Sequence, residues 1–284
     1  MSKIAAHVNN IALHHSVFAL PFAYMGAFLA ADGMPDAWAL LWITVAMVGA
    51  RSAALALDNL IDLKYDKLHP RFTKRPMVTG EVTRREAVLL ILFSLAILFG
   101  AVLQLQPICL QLLPLAVLPF IVYPYMKRLT FLCHLVLGVA LAMAPAGGFV
   151  AISGFVSLPI ISLCLAVCLW IAGFDVVYGC QDEAFDKAHG LHSMATQFTA
   201  AGALQIARGM HVLSFGCFIA TGLLFDLGGI YYVGVAAALL TLLYQHSIVS
   251  ASDFSRVTQV YFMRNGIVAI AVFLFTLLSL GSIG

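Results

Sequence analysis

The feature that most constrains this chain is a series of apolar runs, each about as long as a membrane is thick. A helix needs roughly 20 apolar residues to cross the hydrocarbon core of a bilayer, and runs of this kind recur along the 284 residues. Only 10% of the residues are charged, against about 25% in soluble domains. This pattern excludes a soluble globular fold. We predict an all-α integral membrane protein that forms a single domain over residues 1–284.

Nine apolar segments, bounded by Pro, Gly or charged residues, have the length of a membrane-spanning helix. With short connections between them, nine spans leave no room for a separate aqueous domain. The predicted helices cover residues 14–31, 37–60, 87–105, 108–126, 130–152, 156–180, 205–225, 229–249 and 259–281.

The basic residues fall on alternate connections between these segments. Connections 61–86, 127–129, 181–204 and 250–258 contain Lys or Arg, whereas the four connections between them contain neither. Because cytoplasmic loops carry an excess of Lys and Arg, we predict a multi-pass protein of the cell inner membrane with a cytoplasmic N-terminus and cytoplasmic basic loops. The net charge of +2 does not indicate nucleic-acid binding. No feature indicates an obligate protein partner.

Two acidic clusters lie at predicted cytoplasmic helix ends. The first consists of Asp58, Asp62 and Asp66, and the second of Asp175, Tyr178, Asp182 and Asp186. At 100° per residue, the spacing within each cluster places its members on one face of a helix. Two Asp pairs recur 120 residues apart in the two clusters, which indicates a weak internal repeat.

Several carboxylates on facing helices repel one another unless cations share the site. Oxygen ligands suit Mg²⁺, which keeps water ligands and binds substrate phosphates. The expected metal ligands are Asp58, Asp62, Asp66, Asp182 and Asp186. Two alternatives remain open: solvated acids at the headgroup level, and a cation-coupled membrane transporter, although transporter sites lie nearer the bilayer midplane.

The motifs DNLIDLKYD at 58–66 and DVVYGCQDEAFD at 175–186 resemble the two aspartate-rich motifs of UbiA-type intramembrane aromatic prenyltransferases. ARSAALALDN before the first motif, HPRFTKRP after it and YPYMKRLT at 123–130 extend the resemblance over nearly the whole chain. The second motif is most similar to the bacterial 4-hydroxybenzoate and menaquinone-pathway polyprenyltransferases. The first motif departs from the family pattern, because Asp58 and Asn59 stand in reversed order.

The resemblance implies Mg²⁺-dependent transfer of a polyprenyl chain from polyprenyl diphosphate to 4-hydroxybenzoate or a dihydroxynaphthoate in quinone biosynthesis. The isoprenoid tail would lie in an apolar tunnel open to the lipid bilayer. Asp62, Asp66, Asp182 and Asp186 would act in catalysis through the metal, and the ring of Tyr178 could stabilise the allylic cation. CDP-alcohol phosphotransferases, another membrane family that handles diphosphates, are disfavoured because the sequence has no DG and AR elements at a suitable spacing.

Basic side chains near the two motifs are candidates for the diphosphate or for the carboxylate of the acceptor, because guanidinium and ammonium groups pair with such anions. Arg51 is notable, since a cation two turns inside an apolar helix needs a functional reason. The expected substrate-binding residues are Arg51, Asn59, Lys64, Arg71, Arg75, Lys127 and Asp175, with Arg128 as a further candidate.

Overall fold

The structure, a computed structural model, describes residues 3–11, 19–257 and 262–283, and these are almost entirely helical. In chain order the helices are α1 (Lys3–Asn10), α2 (Leu20–Ala31), α3 (Ala37–Asp66), α4 (Pro76–Thr79), α5 (Arg84–Val102), α6 (Pro107–Met126), α7 (Cys133–Ser153), α8 (Leu158–Gly179), α9 (Glu183–Ala188), α10 (Met194–Leu224), α11 (Gly229–Ser247) and α12 (Phe262–Ile283). A short 3₁₀ turn, Cys180–Asp182, joins α8 to α9. The predicted all-α membrane fold is confirmed.

Among the described residues, six helical segments are long and apolar enough to cross a membrane: α3, α5, α6, α7, α8 together with α9, and α10. Helix α2 and Asn265–Gly281 within α12 are shorter apolar helices. The nine predicted segments correspond to these elements together with α11. The predicted residues 14–18 and 259–261 lie outside the described part of the chain.

Two helices near the acidic motifs are longer than predicted. Helix α3 continues to Asp66, six residues beyond the predicted end, because its last turns are packed: Leu63 is buried against Met77 and Val82. Helix α10 begins at Met194 rather than at 205, because the hydroxyl of Ser193 caps it by accepting a hydrogen bond from the backbone nitrogen of Thr196. It is kinked at Thr199, where the backbone is not helical. Both acidic motifs are therefore held within or directly beside helices.

Helix α8 lies at the centre of the bundle, where it packs against α7 and α10. Its Trp170 is fully buried and contacts Phe22 of α2, with ring centroids 5.5 Å apart. The Trp170 indole nitrogen donates a hydrogen bond to Asn265 of α12 at 3.1 Å. Such hydrogen bonds hold transmembrane helices together, so α8 gives the second acidic motif a rigid support.

Helices α2 and α7 meet with their backbones in contact. A Cβ atom built on Gly148 would lie 1.9 Å from the carbonyl oxygen of Ala23, and one on Gly26 would lie 2.1 Å from that of Pro145. Small residues permit this close approach, which favours helix association in membranes.

Candidate active site

Four carboxylates meet at one end of the bundle. Asp62 and Asp66 lie in the last two turns of α3, Asp182 ends the 3₁₀ turn after α8, and Asp186 lies in α9. All four line one polar cavity of about 50 Å³. The tertiary structure thus brings together residues that are 120 positions apart in the sequence.

The two carboxylates of α3 each pair with an arginine. Arg75 Nη1 donates to Asp66 Oδ2 at 2.6 Å, and Arg128 Nη2 donates to Asp62 Oδ1 at 2.9 Å. Arg128 also donates to the backbone carbonyl of Ile61 at 2.9 Å, which fixes its guanidinium against the end of the helix. These charge-assisted bonds compensate the cost of holding carboxylates at partly buried positions.

The two carboxylates that follow α8 are paired in the same way. Arg71 Nη1 donates to Asp182 Oδ1, and Lys127 Nζ lies 3.4 Å from Asp186 Oδ2. Burial lowers the pKa of Lys127, but Asp186, Asp182 and Asp175 outweigh burial and raise it above the ordinary lysine value, so Lys127 is cationic at neutral pH. The second oxygen of each site carboxylate accepts no hydrogen bond within the described residues.

Aromatic side chains support these cations. The guanidinium of Arg71 lies 5.0 Å from the centroid of the Tyr178 ring, and that of Arg128 lies 5.2 Å from the Tyr65 ring. Contacts of this kind contribute about 0.5–2 kcal/mol. Tyr178 therefore belongs to the site through Arg71.

A second, larger cavity of about 480 Å³ lies between α2, α3 and α5–α8. Its walls are almost entirely apolar, and Arg51 and Asp58 of α3 contribute two of its few polar groups. Asp58 is one turn before Asp62, so α3 runs from the large cavity to the polar one. Asp58, expected as a fifth metal ligand, thus lines the large cavity, whereas the other four carboxylates line the polar one.

Arg51 and Asp58 are both without a partner. The buried Nε of Arg51 has no hydrogen-bond partner. Within residues 3–11, 19–257 and 262–283, neither side chain makes a hydrogen bond or an ion pair. An unpaired charged group in apolar surroundings is energetically unfavourable. A ligand bound in this cavity would provide partners for both side chains.

Two predicted substrate-binding residues contact other parts of the protein, and a third is exposed. Asn59 donates a hydrogen bond to the carbonyl of Asn10 in α1 at 2.6 Å, because it is rotated 100° from Asp58 around α3. The side chain of Lys64 is exposed. Asp175 accepts from Nδ1 of the buried His134 at 2.7 Å, because α7, which carries His134, packs against α8.

Two histidines near the site were not predicted as site residues. His69 Nε2 lies 3.1 Å from Asp182 Oδ1, and burial lowers the pKa of His69 despite this carboxylate. His134 lies behind Asp175. His69 begins the segment HPRFTKRP shortly after the first motif, and this position in the sequence could have identified it as a site residue. Nothing in the sequence around His134 distinguishes it from other buried histidines.

The oxygen donors of the polar cavity fit Mg²⁺. No three acidic, His or Cys groups of the described chain are placed to share one metal ion. Magnesium does not require such a group, because it binds one or two carboxylates and completes its octahedron with water and substrate phosphates. The pair of carboxylates at the end of α3 and the pair after α8 each provide up to two carboxylate ligands for a magnesium ion.

Comparison with known proteins gives the same family throughout. The family model described as "UbiA prenyltransferase family" matches residues 19–267. A 4-hydroxybenzoate octaprenyltransferase of Shewanella loihica is 30% identical over 241 residues, 85% of this chain and 84% of that protein. Another, from Alkalilimnicola ehrlichii, is 32% identical over 78% of this chain and 75% of that protein.

Solved structures agree with these sequence matches. The apo structure of a UbiA homolog from Aeropyrum pernix K1 has a TM-score of 0.85 and 35% identity, covering 94% of this chain and 98% of that one. A UbiA homolog from Archaeoglobus fulgidus, bound to GPP and Mg²⁺, has the same fold, with a TM-score of 0.78 and 17% identity over 97% of this chain and 99% of that one. The two aspartate clusters, their helical scaffold and the match over most of the sequence lead to one conclusion: this chain is a prenyltransferase of the UbiA family.

Proposed function

We propose that this protein transfers a polyprenyl chain from polyprenyl diphosphate to 4-hydroxybenzoate, with Mg²⁺ as the required metal. The proposal rests on one observation: two cavities, one polar and one apolar, are lined by successive turns of α3. One is lined by four carboxylates that are each paired with a basic side chain, and the other is apolar and is lined, among the described residues, by the unpaired cation Arg51. The names of the curated relatives support 4-hydroxybenzoate over a dihydroxynaphthoate.

The polar cavity is suited to a diphosphate. Asp62, Asp66, Asp182 and Asp186 would hold the metal, and Arg71, Arg75, Lys127 and Arg128 are the cations available to the phosphate oxygens. Bound Mg²⁺ would stabilise the negative charge that develops on the departing diphosphate. When the metal takes the carboxylates, the basic side chains are released from their ion pairs and can turn to the phosphates.

The apolar cavity is suited to an isoprenoid chain and an aromatic ring. Its volume of about 480 Å³ is roughly three times the 150 Å³ of a cavity known to bind benzene. Arg51 offers the guanidinium that pairs with a carboxylate. The aromatic acid would thus lie in this cavity with its carboxylate at Arg51 and its ring towards the diphosphate.

In the reaction, the C–O bond between the allylic carbon and the diphosphate breaks, and its electron pair leaves with the diphosphate. An electron-rich carbon of the acceptor ring donates an electron pair to the allylic carbon and forms the new C–C bond. The proton on that ring carbon then passes to a base, for which the released diphosphate is available, and its C–H electron pair restores the aromatic ring. The chain contributes by positioning both substrates and by stabilising the charge on the leaving group.

The test uses the full chain reconstituted in liposomes with octaprenyl diphosphate and an acceptor panel. Mass spectrometry should detect octaprenyl-4-hydroxybenzoate only when Mg²⁺ is present, with equimolar diphosphate released. Asp182→Asn is the inactive control. Prenylation of 1,4-dihydroxy-6-naphthoate in preference to 4-hydroxybenzoate would contradict the proposed acceptor, and product formation in excess EDTA would contradict the metal requirement.

A further inference from the structure

Resting on the proposed function, the structure points to Asp58 as the residue that selects the acceptor: we propose that its carboxylate accepts a hydrogen bond from the hydroxyl of the aromatic acid whose carboxylate pairs with Arg51. Asp58 would thus be a specificity-determining residue rather than a metal ligand. This role would explain why the chain has a carboxylate at a position where the related motif has an amide.

The first argument is the placement of Asp58. It lines the apolar cavity together with Arg51, and it does not line the polar cavity that contains Asp62, Asp66, Asp182 and Asp186. Each of those four is paired with an arginine or a lysine. Asp58 has no such partner among the described residues. Asp58 therefore differs from the expected metal ligands in having no direct ion pair, although Asp62, Arg75 and Lys127 are near enough to act on its charge.

The second argument is the cost of leaving two opposite charges unpaired in one apolar cavity. A buried polar group without a partner is unfavourable by about 1–3 kcal/mol, and more for a charged group. Arg51 and Asp58 do not pair with each other in the structure. A single ligand with an anion at one end and a hydrogen-bond donor at the other would satisfy both side chains.

The third argument is the distance to be bridged. Arg51 and Asp58 are seven residues apart on one face of α3, which places their Cα atoms about 10 Å apart along the helix. A benzene ring with a carboxylate and a hydroxyl in para positions carries these groups at opposite ends, so it can form a hydrogen bond of about 2.8 Å with each of two side chains that are separated along the helix. A meta or ortho hydroxyl would point away from the line between the two side chains.

The orientation also agrees with the chemistry. Asp58 is the residue nearer to Asp62, so the hydroxyl end of the ring faces the polar cavity and the diphosphate. The ring carbon ortho to the hydroxyl is then the reactive carbon closest to the allylic carbon. A hydrogen bond from the hydroxyl to a carboxylate increases electron density in the ring at that carbon.

The experiment measures binding and does not depend on turnover. Titration calorimetry on the full chain in lipid nanodiscs gives Kd values for 4-hydroxybenzoate and for benzoate, which lacks the hydroxyl. In the wild type we expect 4-hydroxybenzoate to bind about ten- to a hundredfold more tightly, the range for a hydrogen bond to a charged group. In Asp58→Leu the two acids should bind with similar Kd values, whereas Asp58→Asn, which keeps an acceptor oxygen, should retain part of the preference.

Affinity for geranyl diphosphate with Mg²⁺ serves as the folding control and should be unchanged in both variants. An equal loss of affinity for both acids in Asp58→Leu would overturn the proposal. So would a raised Mg²⁺ requirement with the preference for 4-hydroxybenzoate intact, which would assign Asp58 to the metal. Failure of the proposed function is distinguishable, because it appears as the absence of prenylated 4-hydroxybenzoate with the wild-type protein.

Discussion

Arg71 and Asp182, which are 111 residues apart in the sequence, form a direct hydrogen bond between Nη1 and Oδ1. The bond joins the connection after α3 to the 3₁₀ turn after α8, where Asp182 lines the polar cavity. Only 26% of the Arg71 side chain and 6% of that of Asp182 are exposed. A diphosphate with bound metal would compete for both partners.

We expect Arg71→Ala to raise the KM for polyprenyl diphosphate by about tenfold or more, because one charge-assisted hydrogen bond contributes roughly this factor to binding affinity. The KM for 4-hydroxybenzoate should change little, because Arg71 does not line the apolar cavity. Initial rates over a matrix of both substrates measure the two constants. Lys74→Ala, on the same connection and exposed, is the matched control and should leave both unchanged.

Each of the four site carboxylates should be needed for turnover. Replacing Asp62, Asp66, Asp182 or Asp186 with Asn removes a charge of the metal site while preserving volume, so we expect kcat to fall by about a hundredfold or more, as for other losses of electrostatic stabilisation. Size-exclusion profiles should match that of the wild type. Near-normal rates in two of the four variants at saturating Mg²⁺ would contradict the assignment of both clusters to the diphosphate.

Asn59 should affect stability rather than the metal requirement. Its amide holds α1 through the carbonyl of Asn10, and loss of a hydrogen bond of this kind is worth about 1 kcal/mol. We expect Asn59→Ala to lower the melting temperature by a few degrees, with the Mg²⁺ concentration for half-maximal rate unchanged. A shifted Mg²⁺ titration in this variant would show that Asn59 reaches the metal.

The contact between α2 and α7 should not tolerate a larger residue. A side chain at Gly148 would overlap the carbonyl of Ala23, and overpacking of this kind costs about 1–3 kcal/mol. We expect Gly148→Leu to lower thermal stability and to narrow the apolar cavity, which Gly148 lines. Gly216→Leu, where an added Cβ meets no atom, is the control, and equal melting temperatures for the two variants would refute the prediction.

The orientation in the membrane can be tested with reporter fusions. Because Lys and Arg occur only on alternate connections, the positive-inside rule predicts that the connections at 61–86 and 181–204 are cytoplasmic and that the end at Gly284 is external. Green fluorescent protein should fluoresce when inserted at the first two sites, and alkaline phosphatase should be active at Gly284. The reverse result at Gly284 would contradict the count of nine spans.

The sequence by itself determined the class of fold and the two motifs to which we assign the proposed chemistry. Apolar runs of membrane length require helices, because backbone groups cannot remain unpaired in lipid. The spacing of Asp58, Asp62 and Asp66 placed them on one helical face, because a helix of fixed pitch turns local sequence directly into direction. The family was recognisable from the two motifs for the same reason.

Only the tertiary structure decided what each of these side chains meets. The pairs Arg71–Asp182 and Lys127–Asp186 join separate elements, and no local periodicity specifies which elements pack together. Asp175 lies on α8 where α7 packs against it, so its carboxylate meets His134 of α7. Asp58 shares a face of α3 with Asp62 but lines a different cavity. The walls of each cavity are formed by neighbouring helices, and the positions of these helices depend on long-range packing.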